Sequence, residues 1–173
     1  MDNVLTGSGM VYYWSASGAY WTYLWARCAA LGDVVHVVGQ SQLMDAPGQE
    51  PSVSILDWNT GNGTAKYWVM RLVLDSVQLG DRLLSTTSSL PASLHAQAFA
   101  PAHPRPGTRV ALLLINKVFA NATVTLPPTA SAAPSCTLAA VDASTGLGPP
   151  RTAACTHAAT VTLAPYATAF VYY

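Results

Sequence analysis

A short apolar segment, DVVHVVG at residues 33–39, most constrains what this chain can fold into. It is β-branched and apolar on both faces, which is typical of a strand buried between two layers, as in parallel sheets. One predicted helix precedes it and another follows it, but no second segment of this kind occurs. An unpaired buried strand leaves its N–H and C=O groups without partners. The pattern therefore predicts that neighbouring strands come from polypeptide outside this sequence.

Two helices are predicted around that segment. The first covers residues 17–31, with Ser15 or Ser17 at its start and Gly32 after its end. The second covers about 64–78, preceded by Asn62 or Thr64 and followed by Gly80. Between them lies a long polar loop at residues 40–62. Long loops in compact domains are often functional.

The pattern changes after residue 80. Short segments with alternating or continuous apolar residues are separated by turn-forming stretches, with no helix between them, which predicts an antiparallel sandwich. These predicted strands are residues 82–88, 94–100, 108–117, 121–127, 136–142, 159–165 and 167–173. The chain is thus predicted to consist of two unlike pieces, residues 1–80 and 81–173.

Composition and charge exclude several classes of partner. The chain is 51% apolar and 9% charged, with eight basic and eight acidic residues. These charges form no runs, so nucleic acid is not an expected partner. The longest apolar stretches, such as Val110–Ile115, are far shorter than the roughly 20 residues that span a bilayer. The first residues lack the basic segment of a signal peptide, so either the protein is cytosolic or its true N-terminus is absent.

The cysteines and sequons leave alternatives open. Cys136 and Cys155 lie near predicted strands and form either a disulfide or two small buried thiols, and Cys28 is predicted to pack in a helix. No His or Cys spacing resembles a zinc site, and no cofactor is predicted. Asn62 and Asn121 begin two N-x-Thr sequons, which are possible N-glycosylation sites and weak support for secretion.

Four groups of segments carry a family resemblance. They are SGAYWTYLWARCAALG; VVHVVGQSQLMD; NGTAKYWVMRLVLDSVQLGDRLL; and, together, HAQAFA, RVALLLINK, NATVTLP and LAPYATAFVYY. In this order they resemble the last helices and eighth strand of a barrel, followed by a β-sandwich. The chain resembles the C-terminal part of clan A retaining glycoside hydrolases, such as family 79 with its heparanases and β-glucuronidases. Families 39 and 51 are similar in outline.

The resemblance implies a mixed fold class. Residues 1–80 are expected to form a partial (β/α)8-barrel end of helix–strand–helix, and residues 81–173 an all-β antiparallel sandwich. It also favours an extracellular or secretory location and a carbohydrate substrate bound through the missing barrel. The sugar, the linkage and the mode of cleavage would be decided by residues outside this sequence.

The catalytic groups that the resemblance implies are not found in the sequence. Retaining glycosidases use two carboxylates roughly 5 Å apart, one acting as acid and base and the other as nucleophile. This chain has a single glutamate, Glu50, and neither Asp45 nor Asp57 is paired with another acid on predicted rigid elements. No catalytic residue is therefore assigned, and the chain is expected to be inactive by itself.

Part of a sugar site is a further expectation from the resemblance. Active-site groups of such barrels lie at the C-terminal ends of the strands. This places Gln40 and Gln42 at the barrel mouth and Trp58 and Asn59 in the following loop. Amides hydrogen-bond sugar hydroxyls in both directions, and an indole offers a flat apolar face. Alternatively, Gln40 ends a strand, Trp58 packs on the second helix and Asn59 is a turn residue.

Two other functions remain open from the sequence. The chain could be a non-catalytic carbohydrate-binding or structural sandwich, which aromatic residues exposed on the sheet would favour. Tyr166, Tyr172 and Tyr173 are the candidates, although each also fits a core or edge position. It could instead be a pseudoenzyme subunit that supplies a barrel wall to a partner.

Overall fold

The structure is a computed structural model that describes residues 8–35, 37–39, 43, 54–57, 59–103, 110–126, 135–156 and 160–173. It contains two helices, α1 (Ser8–Ala30) and α2 (Ala65–Ser76), with a short 3-10 turn at Gly32–Val34. The strands are β1 (Arg82–Leu84), β2 (Leu94–Ala100), β3 (Ala111–Asn116), β4 (Ala122–Thr125), β5 (Ser135–Val141), β6 (Arg151–Thr156), β7 (Thr160–Leu163) and β8 (Thr168–Tyr172).

The described strands form two antiparallel sheets. The larger has six strands in the order β1-β2-β3-β8-β5-β6, and the smaller pairs β4 with β7. The helices pack on one face of the six-stranded sheet and β4–β7 packs on the other. An antiparallel sheet following a helical start agrees in outline with the predicted sandwich. The predicted barrel end is not seen.

Burial on both faces explains the apolar sequence of the central strands. In β3, Leu113 and Ile115 point into the core beneath the helices, whereas Leu112 and Leu114 point toward β4–β7. All six residues of β3 are buried. The sequence of a strand that is covered on both faces is a continuous apolar run and does not alternate between apolar and polar residues.

The two helices lie close together and belong to the core of the sheet. A side chain at Gly18 would place its Cβ 3.1 Å from Cγ2 of Val69, so glycine permits close approach of α1 to α2. Val69 and Phe170 of β8 belong to the same buried cluster. The helical start and the sheet thus share a core, while the division of the chain into domains at residue 80 stays a prediction.

The predicted helix bounds are met in part. Gly32 follows α1 with φ of 56°, the left-handed conformation predicted for it, whereas α2 ends at Ser76, four residues before Gly80. Thr64 is the N-cap of α2, but its hydroxyl donates to the carbonyl of Ile55 at 2.9 Å and does not cap the helix. The predicted start of α1 is wrong, because the helix begins at Ser8 and Ser15 lies inside it.

The buried strand predicted at 33–39 is wrong in the described part of this segment. Gly32–Val34 forms a 3-10 turn, Val35 is extended, and no ladder includes residues 37–39. Val34 is 77% exposed and Val37 is 86% exposed. The physical reason is that a strand needs a neighbour to pair with, and the described residues supply none here.

One strand was missing from the prediction. β6 (Arg151–Thr156) pairs with β5, yet five of its six residues are exposed. It is an edge strand with no apolar alternation, so its sequence carries no strand pattern. Elsewhere β2 has the predicted bounds, β5 is shifted by one residue toward the N-terminus, and the other predicted strands are shorter than predicted. Neither described helix is long and apolar enough to cross a membrane.

Candidate functional site

The turn before α2 contains part of the predicted sugar site. An isolated bridge joins Leu56 to Gly63. The buried carboxylate of Asp57 accepts hydrogen bonds from Thr60, at 3.2 Å from the backbone N–H and at 2.6 Å from the hydroxyl. Asp57 therefore stabilises this turn, as Asp commonly does.

Most of the predicted substrate-binding residues lie outside the described residues. These are Gln40, Gln42 and Trp58, and the acids Asp45 and Glu50 also lie outside them. Asn59 is exposed in the turn between Asp57 and Thr60. Their arrangement as a sugar site stays a prediction. In the part of the chain that the structure describes, no group of three or more His, Cys, Asp and Glu residues could hold a metal ion.

The predicted cysteine pair lies on adjacent strands. Cys136 of β5 faces Cys155 of β6 in the sheet register, with 4.8 Å between their Cα atoms, and a disulfide joins them. Cys28 is a free, partly buried thiol in α1. The two sequon asparagines, Asn62 and Asn121, are both exposed.

A groove of about 520 Å³ lies on the sandwich side of the large sheet. The Ser/Thr-rich segment at residues 85–90 forms one wall, β4 forms another, and β2 and β3 form an apolar floor. Its lining residues are Leu84, Ser85, Thr86, Thr87, Ser88, Ser89, Leu90, Leu94, Ala96, Ala98, Leu112, Leu114, Thr123, Val124 and Thr125. None is titratable, so the groove offers no acid–base chemistry.

A buried amide joins the two turns at one end of the sheet. The Asn116 side chain is fully buried and its Nδ2 donates to the carbonyls of Ala120 at 2.7 Å and Ala164 at 2.8 Å. Its Oδ1 accepts from the N–H of Val118 at 3.3 Å. These bonds fix the turn between β3 and β4 against the turn between β7 and β8. The sequences LLLINK and LAPYA, noted separately above, thus meet in space.

A second cavity, of about 210 Å³, opens where α1 passes these two turns. It is lined by Ala16, Ala19, Tyr20, Tyr23, Lys117 and Tyr166. The Lys117 ammonium lies 4.9 Å from the centre of the Tyr23 ring and donates to the carbonyl of Pro91 at 2.7 Å. The Phe119 ring lies 6.0 Å from that of Tyr166. We call this set of residues, Phe119 included, the tyrosine pocket.

The other tyrosines considered from the sequence do not line this cavity. Tyr172 packs against the core beneath the helices, and its hydroxyl lies 2.6 Å from that of Ser76 on α2. Tyr173 is buried in the other core, and burial raises its pKa to about 12. Tyr172 and Tyr173 therefore contribute to packing.

His95 of β2 lies beneath the tyrosine pocket, with its ring 5.1 Å from that of Tyr23 in an edge-to-face arrangement. Its Nε2 is buried and has no hydrogen-bond partner among the described residues. Burial, followed by the positive charges of Lys117 and Arg27, lowers the pKa of His95. The imidazole is thus held in its neutral form at a site of positive potential.

Little in the sequence predicts this pocket. Tyr20 and Tyr166 are far apart in the chain, and only the contact between α1 and the turn before β8 brings them together. The one available signal was the pair of turn sequences on either side of the pocket, INKVF and APYA, each of which has an aromatic residue in a turn.

Comparison with known proteins shows the fold. No protein-family model matches the sequence, and no curated protein matches it. The chain is similar in structure to a family 30 subfamily 8 xylanase from Clostridium acetobutylicum, with a TM-score of 0.62 and 12% identity, covering 91% of this chain and 38% of the xylanase.

A second similar structure is a family 30 endoxylanase from Clostridium papyrosolvens. The TM-score is 0.51 at 17% identity, over 68% of this chain and 30% of that one. The chain has a glycoside hydrolase-like fold. It spans well under half the length of either xylanase. Because both belong to family 30, this glycoside hydrolase-like fold is not assigned to family 79.

Proposed function

We propose that the chain is the C-terminal part of a glycoside hydrolase that has a (β/α)8 barrel and a β-sandwich, and that it is inactive alone. The enzyme would act on O-glycosidic bonds of a polysaccharide or glycoconjugate. The similarity in fold to two xylanases supports the hydrolase scaffold, since the chain matches only a portion of each.

The exposed valine segment, residues 34–38, is the observation that carries the proposal. It lies between α1 and α2, both of which pack on the sheet, yet Val34 is 77% exposed and Val37 is 86% exposed. Val35, which follows the 3-10 turn, is extended, with φ −120° and ψ 107°. Exposed β-branched residues next to extended backbone are suited to pair with another strand. In the whole enzyme it would be a barrel strand between two neighbours.

The substrate residues follow from that position. With the valine segment in a barrel, Gln40 and Gln42 would lie just beyond its C-terminal end, where barrel enzymes bind their substrates. Trp58 and Asn59 would approach the same mouth from the loop that leads to α2. The two catalytic carboxylates would come from polypeptide outside residues 1–173.

We also propose which glycoside hydrolase families the chain is related to. We retain the resemblance to family 79, with families 39 and 51 as neighbours, on the strength of the sequence segments. Family 30 joins them on the similarity of fold. All are proposals for the same architecture and differ in the sugar that the barrel would bind.

The proposal is tested by determining the coding sequence that precedes Met1. We expect βα units and two glutamates at strand ends. The longer polypeptide should release reducing sugar from a glycan panel, whereas residues 1–173 should release none. Replacing either glutamate with glutamine should abolish the activity. A preceding sequence without βα units, or glycan hydrolysis by the 173-residue chain, would overturn the proposal.

A second candidate is a non-catalytic carbohydrate-binding sandwich. The observation that favours it is the tyrosine pocket, whose rings lie at the surface beside a half-buried lysine. Unchanged glycan binding after deletion of any preceding barrel would support this function over the first.

A further inference from the structure

The tyrosine pocket presents aromatic rings to solvent where the fold does not require them. Tyr20 is 61% exposed and Phe119 is 64% exposed. The Phe119 ring lies beside that of Tyr166, which lines the cavity, and the two rings are tilted by 37° to each other. Grouped aromatic surface at a concave site indicates ligand binding more strongly than single exposed apolar residues do.

The size of the pocket restricts the ligand. Its volume of about 210 Å³ is below the roughly 300–1,000 Å³ of sites that enclose drug-sized molecules. An aromatic ring presents a flat apolar face to its ligand. A pyranose whose hydroxyls are all equatorial presents C–H bonds on both faces, so that its ring can lie flat against tyrosine or phenylalanine.

Lys117 supplies the polar group that such a site needs. Its ammonium has three donors; one is used by the carbonyl of Pro91, and the charge lies over the Tyr23 ring. No carboxylate of the described residues forms an ion pair with it. The remaining donors can reach hydroxyl oxygens of a sugar bound in the cavity.

The backbone of Tyr166 is held in a conformation that a tyrosine rarely adopts. Its φ is 55°, and it is the only described residue other than glycine with a positive φ. Such a position is unfavourable for a residue that has a Cβ, and it persists only where surrounding contacts fix it. Here the Asn116 amide bond to Ala164 fixes the preceding turn. The Tyr166 ring packs against the core beneath the helices on one side and lines the cavity on the other.

From these observations we propose that the tyrosine pocket binds one pyranose unit of a neutral glycan. Tyr20, Tyr166 and Phe119 stack on the sugar ring, and Lys117 donates to its hydroxyls. The site contains no pair of acids and is a binding site without catalysis. It rests on the second candidate function and deepens it by naming the ligand, and it requires neither the barrel nor the valine segment.

The test is a titration of the 173-residue chain with cellohexaose, followed by the NMR shifts of the tyrosine rings and by calorimetry. We expect saturable binding at millimolar concentrations. The Tyr20→Ala and Phe119→Ala variants should bind at least about tenfold more weakly, the loss that corresponds to about 1.4 kcal/mol. Lys117→Met should weaken binding severalfold.

Two controls separate loss of the site from loss of the fold. Leu74→Ala changes an α2 residue that is 66% exposed and distant from the pocket lining, and it should leave binding unchanged. Tyr166→Asn keeps a residue that tolerates positive φ and should lose binding while the chain still melts cooperatively. Absence of saturable binding by the unaltered chain, or full binding by Tyr20→Ala and Phe119→Ala, would overturn the proposal.

Discussion

The side-chain amide of Asn116 donates a hydrogen bond of 2.8 Å to the backbone carbonyl of Ala164, across the end of the six-stranded sheet. Two turns that are distant in sequence are joined by this bond and by the bond of the same amide to Ala120. The backbone N–H of Asn116 also donates to the carbonyl of Ala167 at 2.9 Å. One fully buried residue therefore positions both turns that form the tyrosine pocket.

Replacing Asn116 with leucine should lower the free energy of unfolding by about 3 kcal/mol. The two carbonyls and the Val118 N–H would lose their buried partner, and each unsatisfied group costs about 1–3 kcal/mol. Urea unfolding followed by tryptophan fluorescence measures the change. The matched control is Asn121→Ala at an exposed position, which should change stability by no more than about 0.5 kcal/mol. Equal stability of both variants would contradict the assigned role.

Removing the disulfide with Cys136→Ala and Cys155→Ala should destabilise the chain by up to about 3 kcal/mol. The two cysteines are separated by 19 residues in sequence, and a crosslink that closes a loop of this size stabilises by limiting the unfolded chain. A reducing agent should destabilise the unaltered chain by the same amount. Cys28→Ala is the control: it keeps the disulfide, so it should be as stable as the unaltered chain and equally sensitive to reduction, whereas the variant without Cys136 and Cys155 should be insensitive. A melting temperature insensitive to reductant would refute the crosslink.

Stability should fall as the pH decreases below about 6.5, in part because of His95. Burial, with the charges of Lys117 and Arg27, lowers the pKa of the folded imidazole below its usual 6.5. Between the folded and unfolded pKa values, the unfolded state binds more protons, so lowering the pH favours unfolding. Above pH 6.5 the contribution of His95 to the free energy of unfolding is constant.

The variant His95→Gln tests the assignment. It should show a smaller slope of unfolding free energy against pH below 6.5 than the unaltered chain. His103→Gln, at an exposed position, should keep the original slope. The same slope in all three proteins would show that His95 is not the responsible group.

A charge on the valine segment should be tolerated in this chain. Val37 is 86% exposed, so Val37→Lys should change the free energy of unfolding by less than about 0.5 kcal/mol and should reduce self-association in sedimentation. Val69→Lys, at a fully buried position between the helices, is the comparison and should prevent folding or destabilise severely. A large loss of stability in Val37→Lys would mean that the segment is already packed.

The sequence predicted those features that local chemistry determines. Gly32 follows the end of α1 because the left-handed conformation suits glycine, and β2 was found because its pattern and flanking turns are clear. The start of α1 was missed because Ser15 or Ser17 was taken as the cap, whereas the helix begins at Ser8. The valine segment has the composition of a buried strand, but a strand also requires a partner, which no local pattern reveals.

The candidate site was less predictable for the same reason. Tyr20 looked like one more apolar residue of a helix, and Lys117 like the polar end of a strand. Their meeting depends on the packing of α1 against two turns and on the buried amide of Asn116. Residues Gln40, Gln42 and Trp58 were chosen through a family resemblance, and their role depends on the barrel.

Amide hydrogen exchange at residues 37–39 tests the central claim most directly. It would be measured in the 173-residue chain and in the longer polypeptide encoded with any preceding sequence. We predict rapid exchange in the 173-residue chain and exchange slowed by about a hundredfold or more in the longer protein, as expected for amides in a paired strand. Equally rapid exchange in both proteins, or strong protection already present in the 173-residue chain, would contradict the account.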